Sequence, residues 1–289
     1  MSHAGWSIRV APKQGAAILN CMYEGLDILR PTPADWMNNP DMLRASYFPL
    51  APYSNRIKDG TFQFNGREQS LTWDQSKRAH PLHGTAWQSD WQVTEHGQDH
   101  IRLMTRHTMR DDNWPWKFKL VHTLKVDTNG LHLSLSLTNE DTEAMPSGLG
   151  FHPYFANTKE TELQFLADKV WLTNAENLPK ALASIPDEWD FSTSKPIADT
   201  RLDNCFQNLQ FPAYISWPKS RRRLRITGSP NLTHAVIYLD AETNSACFEP
   251  VTHMNNGLNW MHENVETGIQ ILNPGETHSA DVRLKVENL

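Results

Sequence analysis

Residues 117–138 read KFKLVHTLKVDTNGLHLSLSLT, and the fold is decided here. In the second half Leu131, Leu133, Leu135 and Leu137 alternate with His132, Ser134 and Ser136. Side chains of a strand project to opposite faces with period two, so the four leucines share one face, and that face must be buried. Asp127-Thr128-Asn129-Gly130 supplies turn residues between the two halves. The pattern predicts a long antiparallel hairpin with one apolar side.

The same reading extends outward. Residues 61–73 (TFQFNGREQSLTW) alternate Phe62 and Phe64, break at Asn65-Gly66, the dipeptide a type I′ turn prefers, and resume with Leu71 and Trp73. This predicts a second hairpin. Further strands are expected at 7–10, 16–23, 91–95, 101–107, 163–165, 224–227, 235–239, 246–249, 269–272 and 282–286, and few stretches hold a helical period. These segments run evenly along the chain, with no fixed-period repeat, low-complexity tract or Gly/Ser linker between them. The expectation is an all-β fold, a large antiparallel β-sandwich, with residues 1–289 as one domain. Residues 176–201, rich in proline and acidic side chains, are expected as a surface excursion.

Composition narrows the function. The 289 residues are 39% hydrophobic and 21% charged, which excludes disordered and collagenous classes. A formal charge of −6 argues against nucleic acid or an anionic membrane as partner. Three cysteines, Cys21, Cys205 and Cys247, lie far apart without CxxC spacing, so no disulfide framework or zinc cluster is expected and a reducing compartment fits. The N-terminus lacks the apolar core of a signal peptide, and no later run is long enough for a spanning helix. The expected setting is cytoplasmic. HExxH and GxSxG patterns are missing, which removes zinc-protease and Ser-His-Asp hydrolase readings.

Four clusters depart from smooth alternation and place hydrogen-bonding side chains among Gly, Pro and aromatic residues. They are Pro52-Tyr53-Ser54-Asn55-Arg56-Ile57, His80-Pro81-Leu82-His83-Gly84, Gly148-Leu149-Gly150-Phe151-His152-Pro153-Tyr154-Phe155, and Ala246-Cys247-Phe248-Glu249-Pro250. Each has a bland reading: a satisfied core histidine, a salt bridge at Arg56 that ties down the next hairpin, a carboxylate at the end of a strand. Glu242 and Glu263 look like ordinary solvated side chains, and His80, beside Pro81, looks structural.

Taken together and in this order, the clusters resemble the aldose 1-epimerase family, the galactose mutarotases. The resemblance rests on SNRIKDGTFQFNG, the Leu-His-Gly of HPLHG, GFHPYF, the Asp of LDNCF and the Glu of ACFEP. It implies a supersandwich fold, a catalytic histidine at His152 and a catalytic glutamate at Glu249. It further implies sugar contacts for Asn55, Arg56, His83 and Asp203, a monosaccharide substrate, and no metal or cofactor. Thr85, the Asn113-Trp114-Pro115-Trp116-Lys117 stretch and Ala156-Asn157 depart from the common family pattern, so the chemistry can be kept while the sugar differs.

The chemistry is self-consistent. Exchanging anomers means removing the C1 hydroxyl proton, protonating the ring oxygen as the ring opens, rotating about C1–C2 and reversing the steps. One base and one acid suffice: Glu249 is expected ionised as base and His152 protonated as acid. Arg56 offers a permanently charged donor fork and His83 a further donor. A separate basic run, Lys219 to Arg225 (KSRRRLR), could serve a phosphate, which makes a hexose-phosphate 1-epimerase the alternative enzyme. A non-catalytic sugar-binding or sensing protein is the alternative of another class.

Overall fold

The computed structural model describes residues 1–108 and 113–289. Its frame is two large antiparallel sheets, one of 11 strands and one of 9, with two small two-stranded sheets beside them. The hairpin that opened the sequence reading lies in the 9-stranded sheet: Phe118–Asp127 pairs with Gly130–Asn139 from Phe118↔Asn139 to Asp127↔Gly130 without a slip. Leu131, Leu133, Leu135 and Leu137 are all buried, while the residues between them are only partly covered. The second hairpin pairs Thr61–Phe64 with Arg67–Ser70. Its turn residues Asn65 and Gly66 both have positive φ, 50° and 72°, as a type I′ turn requires.

Every strand expected from the sequence is present, and strands not anticipated fall where alternation is broken: Tyr47–Leu50, Gly150–Pro153, Lys169–Thr173, Leu202–Gln207 and Gln210–Trp217. The segment 176–201 is more than an excursion. It contributes an edge strand to each large sheet, Pro179–Ala183 and Lys195–Pro196, and buries Leu178, Phe191 and Ile197. Prolines and acidic residues had suggested a loop because edge strands tolerate both.

The core lies between the two sheets. Phe151, Phe206 and Phe248 from the 11-stranded sheet join Leu133, Leu135, Leu224, Ile226 and Val282 from the 9-stranded sheet in one buried cluster. Tyr47 Oη meets His122 Nε2 across this layer at 3.1 Å, so both buried polar tips are paired. Among the described residues no helix is long and apolar enough to cross a membrane.

Candidate active site

Period-two alternation gives the strands of the 11-stranded sheet two different faces. Phe151 and Phe248 enter the core, so His152, Tyr154, Cys247 and Glu249 must point the other way. The register extends this face sideways, because Cys247 lies opposite Tyr238, and Tyr238 opposite Asp203. This second face floors a pocket of about 670 Å³, whose lining includes Asn55, Arg56, His83, His152, Asp203 and Glu249. All six residues singled out from the sequence are thus brought together.

The pair at the centre follows from strand register. The ladder between Gly150–Pro153 and Ser245–Val251 is recorded at Gly150↔Val251, with a bridge at Tyr154↔Cys247. The same register sets His152 opposite Glu249. Pro153 and Pro250 lack N–H donors, so the strands are not tightly laced at this point. His152 Nε2 lies 3.3 Å from Glu249 Oε1, with both side chains almost wholly buried. His152 Nδ1 and Glu249 Oε2 have no partner, leaving hydrogen-bonding capacity unspent at the pocket floor. The imidazole is held between Phe48, at a centroid distance of 4.5 Å, and Tyr154, stacked at 4.7 Å.

The wall is made by two loops that clasp each other. His83 N donates to Asn55 O at 2.9 Å, and Asn55 N donates back to His83 Nδ1 at 3.1 Å. Because Nδ1 accepts, a neutral His83 carries its proton on Nε2 and presents a donor. The clasp uses left-handed backbone at Asn55, His83 and Gly84. A Cβ on Gly84 would lie 2.3 Å from Ala51 O, so only glycine fits there. Asn55 Oδ1 accepts from Arg56 N and Nη1, and Arg56 Nη2 lies 3.6 Å from Asp203 Oδ2. The guanidinium is therefore aimed from both ends.

Burial sets the charges. It pushes the His152 imidazole down to about 3, with the Arg30 charge adding to the effect. Burial, and then Asp203, push the Glu249 carboxyl well above the usual carboxylate range, against the pull of Arg56. His83 is held well below its ordinary value by burial, then by His152, Arg56 and Arg78. Burial also raises Asp203, with Arg56 opposing. Burial thus works against the ionised Glu249 and protonated His152 expected from the sequence, favouring the neutral form of each. The proton count of the pair is unchanged, because one proton is shared either way.

Other sequence readings are relocated. Glu249 does not end a strand but sits inside Ser245–Val251, and Asp203 lies within Leu202–Gln207. The KSRRRLR run crosses a 3-10 turn at Lys219 and Ser220 into a strand of the 9-stranded sheet that begins at Arg222, and it does not line the pocket. Arg222 pairs with Glu24 at 2.9 Å, and Arg223 pairs with Glu287 at 2.9 Å and lies over the Tyr214 ring. His80 accepts from Asp59 N at 3.1 Å and lies outside this lining. Ligand atoms of His152, Cys247 and Glu249 lie within 4.8 Å of one another, a set able to hold a metal that spacing along the chain could not show. Burial pushes the Cys247 thiol up, which disfavours the thiolate a metal needs. Arg30, Arg44, Tyr154, Asn177, Tyr238 and Ser245 also line the pocket. Of these, only Tyr154 lay in a quoted motif; the others sit in unremarkable sequence.

The match to known proteins covers this whole frame. The aldose 1-epimerase family pattern matches residues 3–285. The chain belongs to the aldose 1-epimerase family. Among relatives of this family member, the uncharacterized protein YphB of Escherichia coli K12 is 28% identical, over 99% of this chain and 98% of its own. A candidate aldose 1-epimerase from Escherichia coli K12 has a solved structure that superposes with a TM-score of 0.90 at 26% identity, over 100% of this chain and 98% of that one. A galactose mutarotase-like protein from Clostridium acetobutylicum shares the fold, with a TM-score of 0.88 at 22% identity over 99% and 94% of the two chains. The supersandwich is therefore the family fold, and a mutarotase-type enzyme acting on a sugar is what membership supports.

Proposed function

We propose that this protein interconverts the α and β anomers of an aldose, with Glu249 and His152 as the proton-transferring pair. The observation that carries the reading is the 3.3 Å contact between His152 Nε2 and Glu249 Oε1, buried at the floor of a pocket lined by sugar-type donors and acceptors. In the free protein burial favours placing the shared proton on Glu249. On sugar binding it passes to His152 across that contact, giving a carboxylate base and an imidazolium acid without net proton uptake.

Glu249 then takes the C1 hydroxyl proton while the C1–O5 bond breaks and C1=O forms, and His152 delivers its proton to O5. Rotation about C1–C2 presents the other carbonyl face. O5 returns its proton to His152 and attacks C1, and the carbonyl oxygen recovers a proton from Glu249. Atoms and protons balance over the cycle. Arg56, held by Asn55 and Asp203, and the His83 Nε2–H fix the sugar hydroxyls so that the reacting atoms stay in register. The common core cluster spanning both sheets supports one folding unit. Three buried, unpaired cysteines support a reducing, cytoplasmic setting.

The test is saturation transfer between the anomeric protons of a panel of aldoses, which reports exchange directly. Exchange above the uncatalysed rate for at least one sugar is expected. Sugar binding without any exchange would leave a binding protein and sink the catalytic reading.

A further inference from the structure

We propose that the pocket takes an aldose carrying an anionic group, a carboxylate or a phosphate, at the end of the sugar remote from C1. This rests on the pocket being the sugar site proposed above. Charge is the first observation. The chain has a formal charge of −6, yet among the described residues the lining holds Arg30, Arg44 and Arg56 against two carboxyls, Asp203 and Glu249. Glu249 and His152 share one proton and cancel as a pair, and Asp203 answers Arg56 at 3.6 Å. Arg30 and Arg44 are left over.

Arg30 is the more telling of the two. Its guanidinium donates to Leu43 O, to Ala45 O at 3.2 Å and to Ser245 Oγ at 3.2 Å, all neutral acceptors. Among the described residues no carboxylate lies within 4.0 Å of it. A guanidinium has five N–H donors, so these contacts fix its position and leave donors unspent. It lies over the Tyr154 ring, 3.6 Å from the centroid, and Tyr154 in turn stacks on His152. A fixed cation is thus set one aromatic ring away from the acid. Among the described residues Arg44 pairs with Asp35, at 3.8 Å with both tips well exposed, a pairing of little strength.

Ser245 braces Arg30. Its side chain is nearly buried, lines the pocket and accepts from Arg30, and its hydroxyl is also hydrogen-bonded to Thr243 Oγ1 at 3.0 Å, so it fixes the guanidinium without adding a free donor. Ser245 lies on the same strand face as Glu249, four residues away, which sets it apart from the C1 chemistry. The nearest acid on the adjoining strand, Asp240, is opposite Ser245 but is taken by Thr243 at 2.9 Å and Tyr238 at 3.3 Å, and it lies outside the pocket lining. Two guanidinium groups at one end of a sugar pocket match the oxygens of a carboxylate or phosphate.

The experiment separates this claim from the anomer-exchange reading by using ring-locked methyl glycosides, which cannot open. Binding of methyl glucoside, methyl glucuronoside and methyl glucoside 6-phosphate is measured by NMR titration on the wild type and on Arg44→Ser. The expected result is at least tenfold tighter binding for one anionic series than for the neutral glycoside. The preferred series says whether the group is a carboxylate or a phosphate. That advantage should shrink at least threefold in Arg44→Ser, an exposed position where folding is not at risk, and should fall with added salt while neutral binding stays constant. Equal or weaker binding of both anionic glycosides overturns the proposal. So does an Arg44→Ser effect that is the same for neutral and anionic glycosides. Tighter anionic binding with no anomer exchange of any free aldose would uphold the subsite and overturn the catalytic reading instead.

Discussion

The strands Gly130–Asn139 and Ser245–Val251 are both central and both antiparallel, yet they bury their residues differently. The first alternates buried and half-buried positions along its length, whereas all seven residues of the second are buried. The difference lies in what covers the second face. Gly130–Asn139 turns Ser134 and Ser136 toward solvent. Ser245–Val251 turns Ser245 and Glu249 toward a pocket walled by the Asn55 and His83 loops. A strand with a wet face is specified by hydrophobic pattern alone. A strand that floors a site must bury polar groups, and burial alters their proton affinity.

The comparison breaks most visibly if the pocket face is altered. His152→Asn should lower kcat by about 10²–10⁴-fold, the usual share of a general acid or base, with KM nearly unchanged. Adding Glu249→Gln to it should cost far less than a second such factor, because the two groups move one proton in one passage. Steady-state exchange kinetics on both variants check this. Multiplicative losses would mean that the two groups act in separate steps.

The opposite face should respond in the opposite currency. Phe248→Ala, one residue from Glu249, empties the core between the sheets and should cost about 3–5 kcal/mol of stability. Glu249→Gln should leave the melting temperature unchanged or raised, since it replaces a buried carboxyl whose Oε2 has no partner. Thermal unfolding of both variants side by side tests the division. A large loss in Glu249→Gln would show that the carboxyl is structural.

The pH profile sharpens the electrostatic half of the contrast. The active pair carries one proton: acidification inactivates it by protonating His152, held down near 3, and alkalinity by removing the Glu249 proton, held above the usual carboxylate range. Accordingly kcat/KM should stay flat through about pH 6.5, where an unperturbed histidine titrates. An acid limb centred near that value would contradict the burial argument.

The smallest effect belongs to the 9-stranded sheet. Replacing Arg221, Arg222 and Arg223 with serine should change KM for any sugar less than about twofold, because their surface pairs contribute little and lie outside the pocket. A rise confined to sugar phosphates would return that run to the site.

How much of this was legible follows from the same contrast. The Leu131–Leu137 alternation was readable because one face is apolar and the other polar. The Glu249 and His152 strands show no such rhythm, and their residues stood out only as motifs. Their meeting depends on the register between Gly150–Pro153 and Ser245–Val251, which local sequence does not encode. Arg30 gave no signal, since its importance lies in the absence of a carboxylate partner. The direction in which burial moves the proton affinities of Glu249 and His152 was not legible either: it is set in three dimensions, whereas sequence shows only the groups.

The central claim is that Glu249 moves the C1 proton rather than merely holding the sugar. It is tested by measuring, on one sample of Glu249→Gln, both methyl glycoside binding and the anomeric exchange rate by saturation transfer. Binding within about threefold of wild type with exchange reduced by at least about 10²-fold is the expected result. Exchange near the wild-type rate would contradict the claim and move the base role to another pocket carboxylate, with Asp203 the next to test.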